Sequence, residues 1–198
     1  MIALTEDKRM LGYGVMTPYS NIFCFATTRR GGFSKGDYAS FNCTPYTGDD
    51  AESVRRNQEL LCSSMPQQPK ELVIPFQTHG TKVEVIDEKY LNATSDERTV
   101  MLQGVDALIT KEPGCCICIS TADCIPILLY DCKNQVVAAA HAGWRGTVNY
   151  IAGHTLDRMR ALYGTDGKDV IACIGPGISL PSFEVGEEVY EAFRMNGF

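Results

Sequence analysis

The chain has 198 residues, of which 44% are hydrophobic and 21% charged, with a formal net charge of -6; this is the balance of one soluble globular domain large enough to bury a core. The acidic balance and the shortness of its lysine and arginine clusters argue against extended contact with nucleic acid or an anionic membrane surface, and no stretch has the apolar length to span a bilayer. The start, MIALTEDKRM, carries acids where a signal peptide has a basic and then an apolar region, so a cytoplasmic protein acting on small molecules is expected.

In chain order, NIFCFATT (21–28) reads as a strand that runs into the basic glycine turn of TTRRGGFS (27–34). DDAESVRRNQELLCSSM (49–65) reads as a helix, with Asp49 and Asp50 suited to its N-terminus and Val54, Leu60 and Leu61 on its apolar face. ELVIPFQTHG (71–80) and TKVEVID (81–87) follow as strands, then DALIT (106–110) and CCICIST (115–121). PILLYD and VVAAAHAG pair as a hairpin across the polar turn CKNQ. GTVNYIAGHTLDRMRALYG (146–164) is the clearest helix, with Val148, Ile151, Ala152, Leu156, Met159 and Leu162 facing the core and Gly164 stopping it. A strand over DVIACIGPG and a helix over GEEVYEAFRM complete the set, which predicts a mixed α/β sheet layered with helices in one domain.

Nine cysteines, odd in number, set mostly in apolar runs and without a secretion signal, read as reduced thiols. Cys115, Cys116 and Cys118 fall on alternate faces of a strand and fill core.

Three runs carry chemistry: QTHG (77–80), TADC (121–124) and HAGWRG (141–146). They hold two of the three histidines and one cysteine, and His79, Cys124 and His141 read as a metal site with one position open, the usual catalytic arrangement for zinc. Against this, a lone histidine at a strand end is more often structural, and Cys124 is as well explained by inert burial. The hairpin brings Cys124 and His141 together if its register is shallow. Gly143 and Gly146 lead into a helix whose first N–H groups, with Arg145, suit an anion, while Trp144 serves equally as a core anchor. GPGIS (175–179) reads as a backbone nest or as a plain turn. His154, in mid-helix without a partner at helical spacing, is read as non-catalytic, and Glu184, Glu187 and Glu188 as a helix start.

QTHG, TADCIPILLYD, AAAHAGWRGT and CIGPGIS followed by FEVGEEV resemble the laccase-domain, or YfiH-type, family, and the likeness runs along nearly the whole chain. TTRRGGFS, Phe41–Asn42, Gly48–Asp49 and Asn57 fall where that family has its N-terminal motifs. The resemblance implies a single α/β domain over residues 1–198, lacking the family's C-terminal segment, with one zinc ion held by His79, Cys124 and His141. It implies phosphorolysis of adenosine, inosine, guanosine or methylthioadenosine and hydrolytic deamination of adenosine, with purine nucleosides and phosphate as partners. An older family name is multicopper polyphenol oxidase, and another naming links such proteins to peptidoglycan editing. In deamination, water made acidic by a three-ligand zinc attacks C6 of the purine, with Cys124 and His141 in the centre and Asp123 either carrying protons or orienting an imidazole. Phosphorolysis needs cationic and polar groups to hold a dianion and a ribose, and Arg29, Asn42, Gln77 and Arg145 are the candidate substrate residues. The alternatives are a cysteine hydrolase with Cys124 as nucleophile and His141 or His79 as base, a copper oxidase, for which two histidines and one cysteine make a poor set, and a binding module braced by a closed zinc site.

Overall fold

The computed structural model describes residues 1–198, and its contacts gather them into two units, Met1–Leu72 with Gly114–Cys116, and Val73–Pro113 with Ile117–Phe198. The mixed α/β class expected from the sequence is the class observed. No helix is long and apolar enough to cross a membrane.

In the first unit, β1 (Ile2–Ala3), β2 (Met10–Gly12) and β3 (Phe25–Thr27) form an antiparallel sheet. Helix α1 (Ala51–Ser63) starts at Asp50, whose carboxylate accepts the Ser53 N–H at 2.9 Å, the capping contact that its sequence predicts. Leu61 of the helix packs on Met10 and Phe41. Asn57, fully buried, organises the preceding loop: its Oδ1 accepts the Phe33 N–H at 2.8 Å and its Nδ2 donates to the Asn42 carbonyl at 2.7 Å. A separate two-stranded sheet is made by β4 (Glu71–Val73) and β7 (Cys115–Ile117).

The second unit is built on β5 (Lys82–Ile86), β6 (Val105–Thr110), β8 (Ile125–Asp131), β9 (Val136–Ala142) and β10 (Val170–Ile174), in the sheet order β10-β8-β9-β6-β5. Only β5 and β6 run parallel; the remaining pairs are antiparallel. Two short helices, α2 (Glu88–Asn92) and α3 (Ser95–Met101), lie between β5 and β6, the second held by a capping box of Thr94 and Glu97. They lack a long apolar period and escape a periodicity reading.

The long helix predicted over 146–164 is two helices, α4 (Trp144–Val148) and α5 (Ile151–Tyr163). Tyr150 breaks it with a left-handed backbone, φ 59°, its N–H closing a turn on the Thr147 carbonyl and its hydroxyl donating to the Asn196 carbonyl in the turn that ends α6 (Glu187–Met195). Thr147, Val148 and Asn149 are weak helix formers, so the break costs little. The buried face of α5 is Ile151, Thr155 and Met159, whereas Leu162 is exposed. Met159 packs on Ile109, Leu129, Val136 and Ala138, and Ile151 on Ala107, Ala140 and Ala142. Because strand side chains alternate, placing Ala107 and Ala140 against α5 turns Asp106 and His141 to the opposite face. Gly164 ends the helix in the left-handed conformation, as its position predicts.

Candidate metal centre

The β8–β9 hairpin has the register that the metal reading requires. Ile125 pairs with Ala142 and Pro126 with His141, so Cys124, just ahead of β8, arrives beside the end of β9. His79 comes from the irregular stretch after β4. The strand predicted through QTHG stops at Val73: Pro75 has no N–H to give a ladder, and the N–H groups of Thr78, His79 and Gly80 turn to the Asp106 carboxylate instead, at 3.2, 3.0 and 2.7 Å. His79 itself has φ 60°, unusual for a residue with a Cβ.

One donor atom from each of His79, Cys124 and His141 lies within 4.8 Å of the others, and the imidazoles meet edge to face, centroids 4.8 Å apart. His141 is buried, Cys124 partly buried and His79 exposed. The His141 Nδ1 is 2.8 Å from Asp106 Oδ1, which leaves Nε2 as the nitrogen available to a metal. Burial pushes the Asp106 carboxyl up, but hydrogen bonds from His141, Gly80 and Thr78 outweigh it and hold the group below its usual range. As an ionised acceptor it fixes the proton on His141 Nδ1. Burial, then the Asp123 and Asp106 carboxylates, raises the Cys124 thiol; a bound cation would hold it as the thiolate. Gly143 gives the set its room. A Cβ there would stand 3.0 Å from Cys124 Sγ, 3.1 Å from His79 Cδ2 and 3.7 Å from His141 Cε1, and since its φ is an ordinary -67°, glycine is required for space and not for conformation. Two imidazoles and a thiol of this kind fit zinc or another borderline-soft ion.

A family model described as multi-copper polyphenol oxidoreductase laccase matches residues 23–198. The chain belongs to this family. Over its full length it is 65% identical to a purine nucleoside phosphorylase of Bacteroides thetaiotaomicron, of which it covers 73%. Over 88% of the chain it is 41% identical to adenosine deaminase RL5 of an unknown prokaryotic organism, covering 66% of that protein. The crystal structure of YlmD from Geobacillus stearothermophilus matches with a TM-score of 0.86 at 30% identity, over 96% of this chain and 70% of that one. The laccase-family chain thus spans 66% to 73% of the length of these relatives.

The remaining sequence-predicted residues divide by unit. Asp123 is exposed beside Cys124, and its backbone carbonyl accepts the Ile178 N–H at 2.8 Å. GPGIS is therefore engaged as a brace: the Gly175 N–H goes to the Pro126 carbonyl, and a Cβ on Gly177 would meet Ile125 at 2.7 Å. Gln77 uses both ends of its amide on Ser120, donating to its carbonyl at 2.8 Å and accepting its N–H at 2.7 Å, which ties the His79 segment to the stretch leading to Cys124. Arg145 is exposed, its guanidinium carbon 4.2 Å from the Trp144 ring. Arg29 and Asn42 belong to the first unit. There, Arg29 Nε donates to the Ala39 carbonyl at 3.0 Å and Asn42 Nδ2 to Asp49 Oδ2 at 2.9 Å. His154 is exposed on α5. Asp106 is the residue that sequence reasoning missed. Its signal was present: one acid inside the apolar strand VDALIT, where a charge is buried only if it is paired.

Proposed function

We propose that the protein is a zinc-dependent purine nucleoside enzyme, catalysing phosphorolysis of adenosine, inosine, guanosine or methylthioadenosine and hydrolytic deamination of adenosine, with one zinc ion held by His79, Cys124 and His141. The convergence of two imidazoles and one thiol over the bare Gly143 carries this reading. The likeness to proteins named purine nucleoside phosphorylase and adenosine deaminase supports the substrate class. When bound, zinc supplies Lewis acidity and lowers the pKa of water toward neutrality. Three protein ligands leave a coordination position for chemistry, whereas a bracing site is closed by four. Copper, which the family's description names, is the weaker candidate, because a single set of two imidazoles and a thiol falls short of several imidazole-rich centres.

The chain's own residues then take stated parts. Asp123, exposed beside Cys124, moves the proton from the attacking water toward the purine ring and its leaving amine. Arg145, exposed two residues after Gly143, offers charge to the phosphate that attacks C1′. Arg29 and Asn42 are kept as substrate residues on the strength of the family likeness alone. The nine thiols, set mostly in apolar runs, support a reducing, cytoplasmic setting for the reaction.

A second reading has one observation in its favour. Asp106 bonded to His141, with Cys124 within 4.8 Å of the imidazole, is the order of a cysteine hydrolase triad. The raised thiol weighs against it, because the nucleophile is the thiolate.

Product analysis separates the readings. Zinc-loaded protein is incubated with adenosine, with and without phosphate, beside a Cys124→Ala control. Adenine formed only with phosphate, or inosine formed without it, each lost in the control, supports the nucleoside reading. Neither product, together with a metal-independent hydrolase activity blocked by alkylation of Cys124, favours the triad.

A further inference from the structure

Asp106 lies on the face of β6 turned away from α5, fully buried, and its two carboxylate oxygens meet four N–H donors, with the Thr78 hydroxyl 3.5 Å from Oδ2. Oδ1 accepts from the His79 backbone N–H at 3.0 Å and pairs with His141 Nδ1 at 2.8 Å; Oδ2 accepts from the backbone N–H of Gly80 at 2.7 Å and of Thr78 at 3.2 Å. The three successive N–H groups form a loop around the carboxylate, and the residue at its centre, His79, has the left-handed backbone that a side chain normally resists. Such a conformation persists only where the surroundings over-determine it. Here a single carboxylate meets all three N–H groups, beside the Gln77 amide bonded to Ser120, and the two histidines that the carboxylate holds are the two imidazole donors of the candidate centre, which come from segments 62 residues apart in the chain.

We infer that Asp106 is the positioning residue of the metal centre, one buried carboxylate that fixes the proton of His141 on Nδ1 and at the same time holds the 78–80 backbone in the shape that aims His79. The inference rests on the metal reading proposed above. Asp106 touches neither substrate nor metal in this role; it acts through the two histidines. A side chain that accepted only from the His141 ring would set a tautomer and no more. A purely structural carboxylate would satisfy the loop and leave the tautomer free. The observed bonds do both, and an isosteric amide cannot: in Asp106→Asn, the Nδ2 group faces either the Thr78 and Gly80 N–H groups or those of His79 and His141, so the loop loses an acceptor in either orientation and the tautomer is released in the second.

The test uses the whole chain in two measurements. Zinc affinity is measured by competition with a chromogenic chelator for the wild type, Asp106→Asn and Cys124→Ala, and the tautomer of His141 is read from long-range ¹H–¹⁵N correlations in metal-free protein. The inference predicts an Nδ1–H tautomer for His141 in the wild type, its loss or mixing in Asp106→Asn, and zinc affinity about 10- to 100-fold lower in that variant. A merely structural role lowers the melting temperature of Asp106→Asn and moves neither readout in the folded protein. Wild-type His141 protonated on Nε2, or an Asp106→Asn variant that keeps the tautomer and binds zinc within twofold of wild type, overturns the inference. If Asp106→Asn does not fold, the wild-type tautomer alone decides. If wild type binds zinc no better than Cys124→Ala, the metal reading fails separately, and the tautomer still rules on Asp106.

Discussion

His141 and His79 reach the candidate centre by unlike routes. His141 is 3% exposed near the end of β9, paired with Pro126 of β8 just past the β6 ladder, and its direction follows from strand alternation once Ala140 faces α5. His79 is exposed on an irregular segment, and its direction follows from the contacts of Asp106 and Gln77, whose partners lie 26 to 43 residues away in sequence. A ligand on a strand inherits its position from the sheet. A ligand on a loop needs side chains appointed to hold it, and the two kinds should fail differently when disturbed.

Removing a donor should do most. Cys124→Ala is expected to take the zinc content of purified protein from one per chain to near zero by elemental analysis while the far-ultraviolet spectrum stays native, because the partly buried thiol holds no ladder contact. Next comes the platform beneath His141. Met159→Ala, a cavity among Ile109, Leu129, Val136 and Ala138, should cost about 2–5 kcal/mol in denaturant unfolding, with zinc affinity of the folded protein unchanged. That pairing of results would show that strand-borne geometry survives loss of stability.

Gly143→Ala should show the converse. Its Cβ would stand 3.0 Å from Cys124 Sγ and 3.1 Å from the His79 ring carbon Cδ2, so affinity is expected to fall roughly 10-fold or more, on the scale of disturbed ligand orientation, with a small change in melting temperature. Gln77→Ala removes two hydrogen bonds between the loops that carry His79 and Cys124, and should cost about 1–3 kcal/mol, with a several-fold loss of affinity. The smallest effect belongs far from the centre: Asp50→Ala uncaps α1 for about 1 kcal/mol, with metal content unaltered.

The same division explains what could be read in the sequence. Alternation and turn residues sufficed for the β8–β9 hairpin, but the register that sets Cys124 beside His141 came only with the structure; capping chemistry sufficed for Asp50 and Gly164. The break at Tyr150 was hidden because an apolar period runs on across it, and only the hydroxyl contact with Asn196 and the left-handed turn reveal it. The strand expected through QTHG was overridden by a carboxylate that competes for its N–H groups. Gln77 stands next to the motif but is engaged by Ser120, a partner that no local pattern predicts. Loop-borne geometry is long-range in sequence, so the identities of the donors were legible and the groups that hold them were not.

The measurement that bears most directly on the centre is zinc K-edge X-ray absorption of the loaded protein. The account predicts one sulfur scatterer at about 2.3 Å and lighter nitrogen or oxygen scatterers, two of them imidazole, at about 2.0–2.1 Å, and no sulfur shell on whatever residual zinc Cys124→Ala takes up. A zinc shell of oxygens alone, or a sulfur shell that survives Cys124→Ala, would contradict it.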